Sequence, residues 1–479
     1  MRELKPLDFK IKRVFPQESV LKKKEVYSVF HGKNIPSFIK DWLVKKFTGE
    51  DDVVDLDNLM DYMNKHIPQK ESEKTFKGRI MYDKGVHRVL TRIVVEPDVN
   101  EGIFRFSIPD LGITFREGRV SEHLLEEHNE LKGGEVWGIF TLTYVPKDAL
   151  DEKGFIELVD YEPFKPYEVD LEYFREGRKE FTLEEWIDVL IRAMEYNPDG
   201  FADLEQKLLF ISRLLIFVEP RLNMIELSPK GTGKSYIFNN LSKYGWCVSG
   251  GIVTRAKMFY DMKRNVFGFI TKYDFVALDE VQTITFSNDD EMKGALKNYL
   301  EFGKFTVANV TGISNAGLML LGNILLDSNM QPINRSYFEE LPEIFRESAL
   351  LDRFHGFIEG WKLPRINEDM KVQGYTLNVE YFSEILHILR DCPEFSAIVE
   401  DLINIPPKAD TRDVNAIKRL SSAYLRLLFP HVRRPGDISK EDFERFCLKP
   451  AIEKRGIIRR QLHILDQEYK EELPDIGVR

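Results

Sequence analysis

The sequence predicts a mixed α/β chain: a helical start, a run of strands, then an alternating strand–helix core that ends in helices. Three observations predict it. Ser228-Pro229-Lys230-Gly231-Thr232-Gly233-Lys234-Ser235 stands between a short apolar run, Leu222–Leu227, and a helix-like run, Tyr236–Leu241, which is the strand–turn–helix setting of a phosphate loop. A second apolar run, Phe275-Val276-Ala277-Leu278, ends in Asp279-Glu280, as a buried strand with two acids at its tip would. Upstream, His87–Val95, Ile103–Ile108 and Trp137–Val145 are rich in β-branched and aromatic residues with turn residues between them, a strand composition.

Five zones follow in chain order. Residues 1–70 read as an N-terminal helical segment, since Asp55–Met63 has helical period and Pro68 follows its end. Residues 71–165 read as about five strands with one inserted helix, Glu122–Asn129, the make-up of an OB-like β domain. Arg79, Arg88, Arg92 and Arg105 lie among its aromatics and suit either a DNA-touching face or the polar face of a barrel. Residues 166–220 read as a helical linker. Thr182-Leu183-Glu184-Glu185 there is a capping box, and Arg213–Phe217 ends a helix just ahead of the phosphate-loop strand. Residues 221–365 form the α/β nucleotide-binding core. Residues 366–479 form a helical lid and C-terminal helices, with Pro406-Pro407 marking the break before a helix that opens at Thr411.

The chemistry of the core follows from residue types at these positions. Gly231 and Gly233 let backbone N–H groups approach phosphates, and Ser228 stands where the usual pattern has a glycine. The ATP-binding stretch therefore runs from Ser228, Pro229, Lys230, Gly231, Thr232, Gly233 and Lys234 to Ser235 and the adjoining Tyr236. Lys234 reaches the β- and γ-phosphates, while the Ser235 hydroxyl and Asp279 hold Mg²⁺. Glu280 polarises the attacking water. A third strand, Leu318–Leu321, ends in Gly322-Asn323, and Asn323 suits the positioning of that water. Arg353 follows the buried-type pair Leu350-Leu351. It reads either as a surface ion-pair partner or as an arginine finger for a neighbouring subunit's γ-phosphate. Arg412, in Thr411-Arg412-Asp413-Val414-Asn415, reads either as a solvated helix-start residue or as a second phosphate sensor.

The order of these five elements resembles an AAA+ ATPase. Glu291 to Asn323 also resembles the MCM and Lon-like branches, with Lys304–Thr311 matching the hairpin that precedes the sensor strand. A closer likeness is carried by Phe181–Asp188, Tyr196–Phe201, Lys230–Ser235, Ser249–Gly251, Ala277–Val281, Leu321–Asn323, Asp352–His355, Gly360-Trp361 and Arg412–Val414. Upstream, Arg88–Gly112 and Gly133–Trp137 add to it. Together they resemble the BrxL family of BREX phage-defence factors, from about Asp51 to about Ile464.

The resemblance implies an AAA+ P-loop ATPase that self-associates as a hexamer or as paired hexamers around double-stranded DNA. It implies ATP hydrolysis at subunit boundaries, with Arg353 supplied by the neighbour and Arg412 acting in cis or in trans. It also implies phage restriction alongside other BREX proteins. Family members commonly continue into a Lon-protease-like domain. Only about thirty residues follow the lid here, short of a domain of roughly 100–200, so no peptidase activity is expected. In ring motors the loops after the second core strand face the pore. Arg255, Lys257 and Lys263 are the DNA-contact candidates there, and Phe259 and Tyr260 are expected to pack inward.

Composition bounds the alternatives. At 479 residues with 43% hydrophobic residues, the chain has material for several cores. Cys247, Cys392 and Cys447 show no metal or disulfide spacing. No apolar run reaches membrane-spanning length and the start is not a signal peptide, so a cytoplasmic protein without a membrane partner is expected. The net charge of −11 does not mark a nucleic-acid binder, but residues 1–50 hold 12 Lys/Arg against 6 Asp/Glu and residues 401–460 hold 14 against 8. Lys22-Lys23-Lys24, Arg433-Arg434, Lys454-Arg455 and Arg459-Arg460 are the densest spots, each read as a solvated face or a phosphate contact. A protein unfoldase of the Lon-like branch and a nucleotide-gated DNA-binding scaffold remain the competing readings.

Overall fold

The computed structural model describes residues 4–33, 35–67, 73–83, 85–132, 134–147, 154–262 and 266–479. Pro68, Gly133 and Lys263 of the sequence reading lie outside them. The N-terminal segment is helical at Pro6–Val14, Ser37–Lys46 and Leu56–His66, with a strand β1 at Ser19–Lys22. This strand is absent from the sequence reading. It is four residues long, and its antiparallel partner is the distant Gly374–Leu377, so no local pattern announces it.

Strands β2 (His87–Asp98), β3 (Ile103–Ile108), β4 (Ile113–Val120), β5 (Gly134–Val145) and β6 (Phe155–Pro163) close a barrel in the order β2-β3-β4-β6-β5. The β4–β6 pairing is parallel and the others are antiparallel. The helix Glu122–Glu127 is inserted between β4 and β5. Val89, Ile93, Phe106, Phe140 and Leu158 fill the interior, as strand alternation requires.

The core follows with β7 (Met224–Leu227), β8 (Gly245–Val253), a small hairpin of β9 (Tyr260–Asp261) and β10 (Val266–Phe267), and β11 (Phe275–Phe286). A second hairpin joins β12 (Lys304–Val307) to β13 (Val310–Ile313), ahead of β14 (Gly317–Gly322), β15 (Gly356–Glu359) and β16 (Gly374–Leu377). One parallel sheet takes the order β15-β7-β14-β11-β8. Strands β7 and β14 are buried throughout, the reason β14 reads as an unbroken apolar run and β7 as one interrupted only by Glu226. Strand β11 continues well past Asp279. Its register with β8 breaks between Asp279 and Ile284, then resumes to Phe286.

The C-terminal helices Val379–Arg390, Glu394–Leu402, Thr411–Leu428 and Lys449–Leu465 complete the chain. A single apolar core runs from Ile11 and Phe15 through Trp186 and Phe217 to Leu386 and Leu420. The N-terminal segment, the helices before β7 and the C-terminal helices are therefore built on one another. Residues of three of the basic spots are corrected here. Lys454, Arg455 and Arg459 are neither solvated nor free for phosphate. They are buried, and Arg455 donates to Asp413 at 2.7 Å and to Asp352 at 2.6 Å. Lys22 is likewise buried against Asp41 and Glu195.

Candidate functional site

Because β7, β14 and β11 run parallel, everything that follows their C-terminal ends collects at one edge of the sheet. The Ser228–Ser235 loop leaves β7 there and feeds the helix Lys234–Asn240, which starts two residues earlier than the apolar pattern indicates. Gly231 and Gly233 take positive φ, +85° and +78°, a region that L side chains avoid. A Cβ on Gly233 would collide with the Tyr196 hydroxyl, while one on Gly231 would meet open space. The loop therefore presents an unobstructed backbone at Gly231.

Ser228 is accommodated for an identifiable reason. The residue facing it is Gly360, and a Cβ there would collide with the Ser228 Cβ. Small size has moved across the contact, and the Ser228 hydroxyl gains a use: it accepts from Thr232 Oγ1 at 3.1 Å. Three more bonds brace the loop. Ser228 N–H donates to Gly322 O (3.1 Å), Ile366 N–H to Gly231 O (2.7 Å), and Arg213 Nη1 to Thr232 O (2.8 Å). Arg213 is fully buried and paired with the equally buried Glu226, Nε to Oε2 at 2.9 Å.

Lys234 is 7% exposed, and its Nζ donates to Asn323 Oδ1 at 3.0 Å. Burial pushes its ammonium below the ordinary lysine value, against the pull of Glu226 and Asp279. Asp279 is buried and accepts from the Glu280 N–H at 2.9 Å. Glu280 is exposed at the edge with φ +48°. The structure thus brings Lys234, Ser235, Asp279, Glu280 and Asn323 to one edge. Open backbone, a buried lysine and a buried carboxylate fit a magnesium-bound nucleoside triphosphate. Among the described residues no cluster of His, Cys, Asp and Glu forms a metal site without such a ligand.

Sequence reasoning missed Gln282. Its Nε2 donates to Asn323 O at 2.7 Å and its Oε1 accepts from Asn323 N–H at 3.3 Å. This reciprocal clamp fixes the backbone that carries the Asn323 side chain. The signal is a polar residue two positions beyond the acidic pair, and it has meaning only once β11 and β14 are known to be neighbours. Tyr236 faces away from the loop's chemistry. Its hydroxyl bonds Ser37 (2.8 Å) and Glu195, joining the loop helix to the N-terminal segment.

Arg353 and Arg412 are not brought to this edge. Strand β15 runs parallel to β7 and begins at Gly356, so Arg353 precedes it at the opposite edge. Four residues of strand separate the two edges, roughly 13 Å at ~3.3 Å per residue. Arg412 accompanies Arg353 there. Its Nη1 donates to Asp352 Oδ2 at 2.8 Å and its Nε to Glu301 Oε2 at 3.1 Å. A cis sensor over the chain's own phosphate loop is therefore not what the fold builds. Both arginines border a cavity of about 350 Å³ that Glu301, Asp352 and Arg419 also line.

The nucleic-acid candidates divide. Arg105 is paired with Asp98 at 2.6 Å, Arg92 with Glu135 at 3.4 Å, and Arg88 with Glu162. Arg79 is exposed beside the Phe76 ring. Arg255 pairs with Glu291 at 3.0 Å, Lys257 is exposed, and Phe259 and Tyr260 are buried as expected. Among the described residues no helix is long and apolar enough to cross a membrane.

The family model described as "Lon-like protease BrxL-like, ATPase domain" matches residues 156–475, and "BREX system Lon protease-like protein BrxL N-terminal" matches residues 13–144. The chain is 28% identical over 450 residues to the Lon-like protease BrxL of Escherichia coli O9:H4 (strain HS), covering 92% of this chain and 63% of that protein. It is 28% identical over 449 residues to the Lon-like protease BrxL of Bacillus cereus (strain H3081.97), covering 92% and 65%. Uncharacterized protein 440 of Sulfolobus islandicus rod-shaped virus 1 is 27% identical over 227 residues, covering 43% of this chain and 50% of that protein. The chain spans less than two thirds of the length of either BrxL relative. With the ATPase-domain model matching well over half of its residues, the chain belongs to the BrxL-like family.

Proposed function

We propose that this chain is a ring-forming ATPase that engages double-stranded DNA and acts in BREX phage defence. The observation that carries the reading is the division of the site between two edges. Lys234, Ser235, Asp279, Glu280 and Asn323 stand at one edge of the sheet, and Arg353 and Arg412 stand at the other. A complete site then needs two copies, each giving its arginine edge to the phosphate loop of the next. Such a head-to-tail contact closes into a ring when its rotation permits.

In this reading the Gly231–Gly233 backbone and Lys234 hold the β- and γ-phosphates, and Ser235 and Asp279 would hold Mg²⁺, which would supply charge neutralisation for the phosphates. Glu280 accepts the proton of the attacking water, and Asn323 orients that water while tethering Lys234. The neighbour's Arg353 and Arg412 stabilise the charge spread over the transferring phosphoryl group. Hydrolysis is then a property of the assembly. A closed five-stranded barrel with a helix between its third and fourth strands supports an OB-like reading, a common nucleic-acid-binding architecture. The β12–β13 hairpin, which precedes the sensor strand β14, is the second DNA-facing element. The BREX role is supported by the match of residues 13–144 to the BrxL N-terminal family.

The test is ATP hydrolysis by the purified chain with and without double-stranded DNA, beside Lys234→Ala and Arg353→Ala. Stimulation by DNA, with turnover lost in both variants by about 10³-fold or more, is the expected result. Turnover stimulated by unfolded protein but not by DNA would favour a second reading, a protein unfoldase, which the "Lon-like protease" names of the relatives suggest. DNA binding without turnover in any condition would leave a nucleotide-gated scaffold.

A further inference from the structure

The arginine edge contains a residue that the sequence reading did not weigh. Glu301 stands near the C-terminal end of the helix Asp289–Phe302. A single oxygen of its carboxylate, Oε2, lies 3.0 Å from Arg353 Nε and 3.1 Å from Arg412 Nε. The two contacts differ in kind. Arg412 makes a directed hydrogen bond. Arg353 Nε is buried without a hydrogen-bond acceptor despite its ion pair, so its N–H is aimed elsewhere. Arg419 Nε, on the same cavity, also lacks an acceptor.

Unsatisfied buried guanidinium donors are expensive, and the two arginines that carry them line a cavity of about 350 Å³. The remaining carboxylates are committed. Asp352 is shared between Arg412 (2.8 Å) and Arg455 (2.6 Å), and Asp413 is held by Arg455 and Arg459. Glu301 is thus the counter-ion that lets Arg353 and Arg412 stand together, since two guanidinium groups so close would otherwise repel. A terminal phosphate carries more charge and more acceptor oxygens than a carboxylate. Glu301 engages both guanidinium groups at Nε, so such a phosphate would meet their terminal nitrogens instead.

We propose that Glu301 is the positioning residue of a two-arginine clamp, holding Arg353 and Arg412 convergent for the terminal phosphate of a nucleoside triphosphate bound to an adjacent copy of this chain. The inference rests on the ATPase reading above and goes beyond it by naming the residue that presents the clamp. Among the described residues the ion pairs of Glu301 are with Arg353 and Arg412, so its loss acts on the neighbour's turnover and not on the chain's own grip on nucleotide.

The test uses full-length Glu301→Gln, which keeps the size and removes the charge. The kcat falls on the order of tenfold, as expected when catalytic groups are misplaced by an ångström or less, while KM for ATP stays within about twofold. Lys234→Ala copies are then mixed in. They carry intact arginines and no working loop, so turnover of the mixture rises above that of either variant alone. Arg353→Ala mixed with Lys234→Ala is the control. If E301Q melts early, Glu301→Asp, which keeps the charge on a shorter stem, replaces it in the same mixing series. Wild-type turnover in E301Q, or failure of Lys234→Ala to rescue it while Arg353→Ala is rescued, overturns the inference alone. If neither variant is rescued, action across the boundary falls and the clamp with it. No turnover in the wild type sinks the ATPase reading and this inference together.

Discussion

Glu280 holds a strained backbone conformation at the tip of the buried part of β11. Its φ of +48° is left-handed, and its side chain is exposed rather than packed. A non-glycine residue there costs of order 1 kcal/mol. Glu280→Gly is therefore expected to leave the melting temperature unchanged or slightly raised, by up to about 1 kcal/mol of stability, while turnover falls at least about 100-fold with the loss of the carboxylate. A melting scan beside an ATPase assay checks both halves, and clear destabilisation would show that the strain is not there. Arg213 gives the opposite case. It is fully buried, and its removal would leave Glu226 charged and unpaired beneath the phosphate loop. Arg213→Ala is expected to cost about 3–5 kcal/mol. Chemical denaturation measures this, and a loss under about 1 kcal/mol would mean that water enters and satisfies Glu226.

At the scale of elements, the link between the N-terminal segment and the loop helix is polar. Glu195 accepts from Lys22 Nζ at 2.6 Å and from the hydroxyls of Ser37 and Tyr236. Burial acts to raise its carboxyl, but Lys22 and the two hydroxyls outweigh burial and hold it down at about 2, from an ordinary 4.5. The folded group binds its proton less readily than the unfolded one. Its contribution is therefore complete above about pH 4.5 and drains away as the pH falls towards 2. Glu195→Gln is expected to cost about 2 kcal/mol at neutral pH, less than the ~3–5 of an orphaned buried charge, because Asp41 still pairs Lys22. The gap in melting temperature between wild type and variant should narrow between pH ~6 and pH ~3. A gap that stays constant over that range would contradict the assignment. Strand β11 makes a related point about elements. The register break after Asp279 frees Glu280 to turn outward and brings Gln282 to Asn323, so one irregular strand sets two parts of the site.

At the scale of the whole molecule, the apolar core joins residues that are remote in sequence. Ile11, Phe15, Phe38 and Leu43 share it with Trp186, Phe217 and Leu386. A chain begun at residue 48 would uncover that face and is expected to aggregate or lose cooperative unfolding. A single sharp melt for that truncated chain would show that the N-terminal segment is an independent unit. The same scale explains the basic clusters. Lys454-Arg455 and Arg459 look in sequence like a charged surface, yet the fold buries all three and sets Arg455 and Arg459 against Asp352 and Asp413.

The sequence by itself determined the nucleotide edge. Ser228–Ser235, Asp279-Glu280 and Asn323 each sit at the tip of a buried strand, and strand tips are legible because burial on both faces writes a near-continuous apolar run. The barrel's strands were legible for the matching reason, period-two alternation over one buried face. Only the tertiary structure decided the rest. The strand β1 has four residues and pairs with one more than 350 positions away. Whether Arg412 serves its own loop depends on which edge of the sheet its helix reaches. Arginines 105, 455 and 459 have the same residue type as a DNA contact, and only long-range packing supplies the carboxylates that neutralise them. Local patterns record how a side chain meets its own backbone and the core. Pairings between distant charges depend on how the elements are arranged in space, and no local pattern records that.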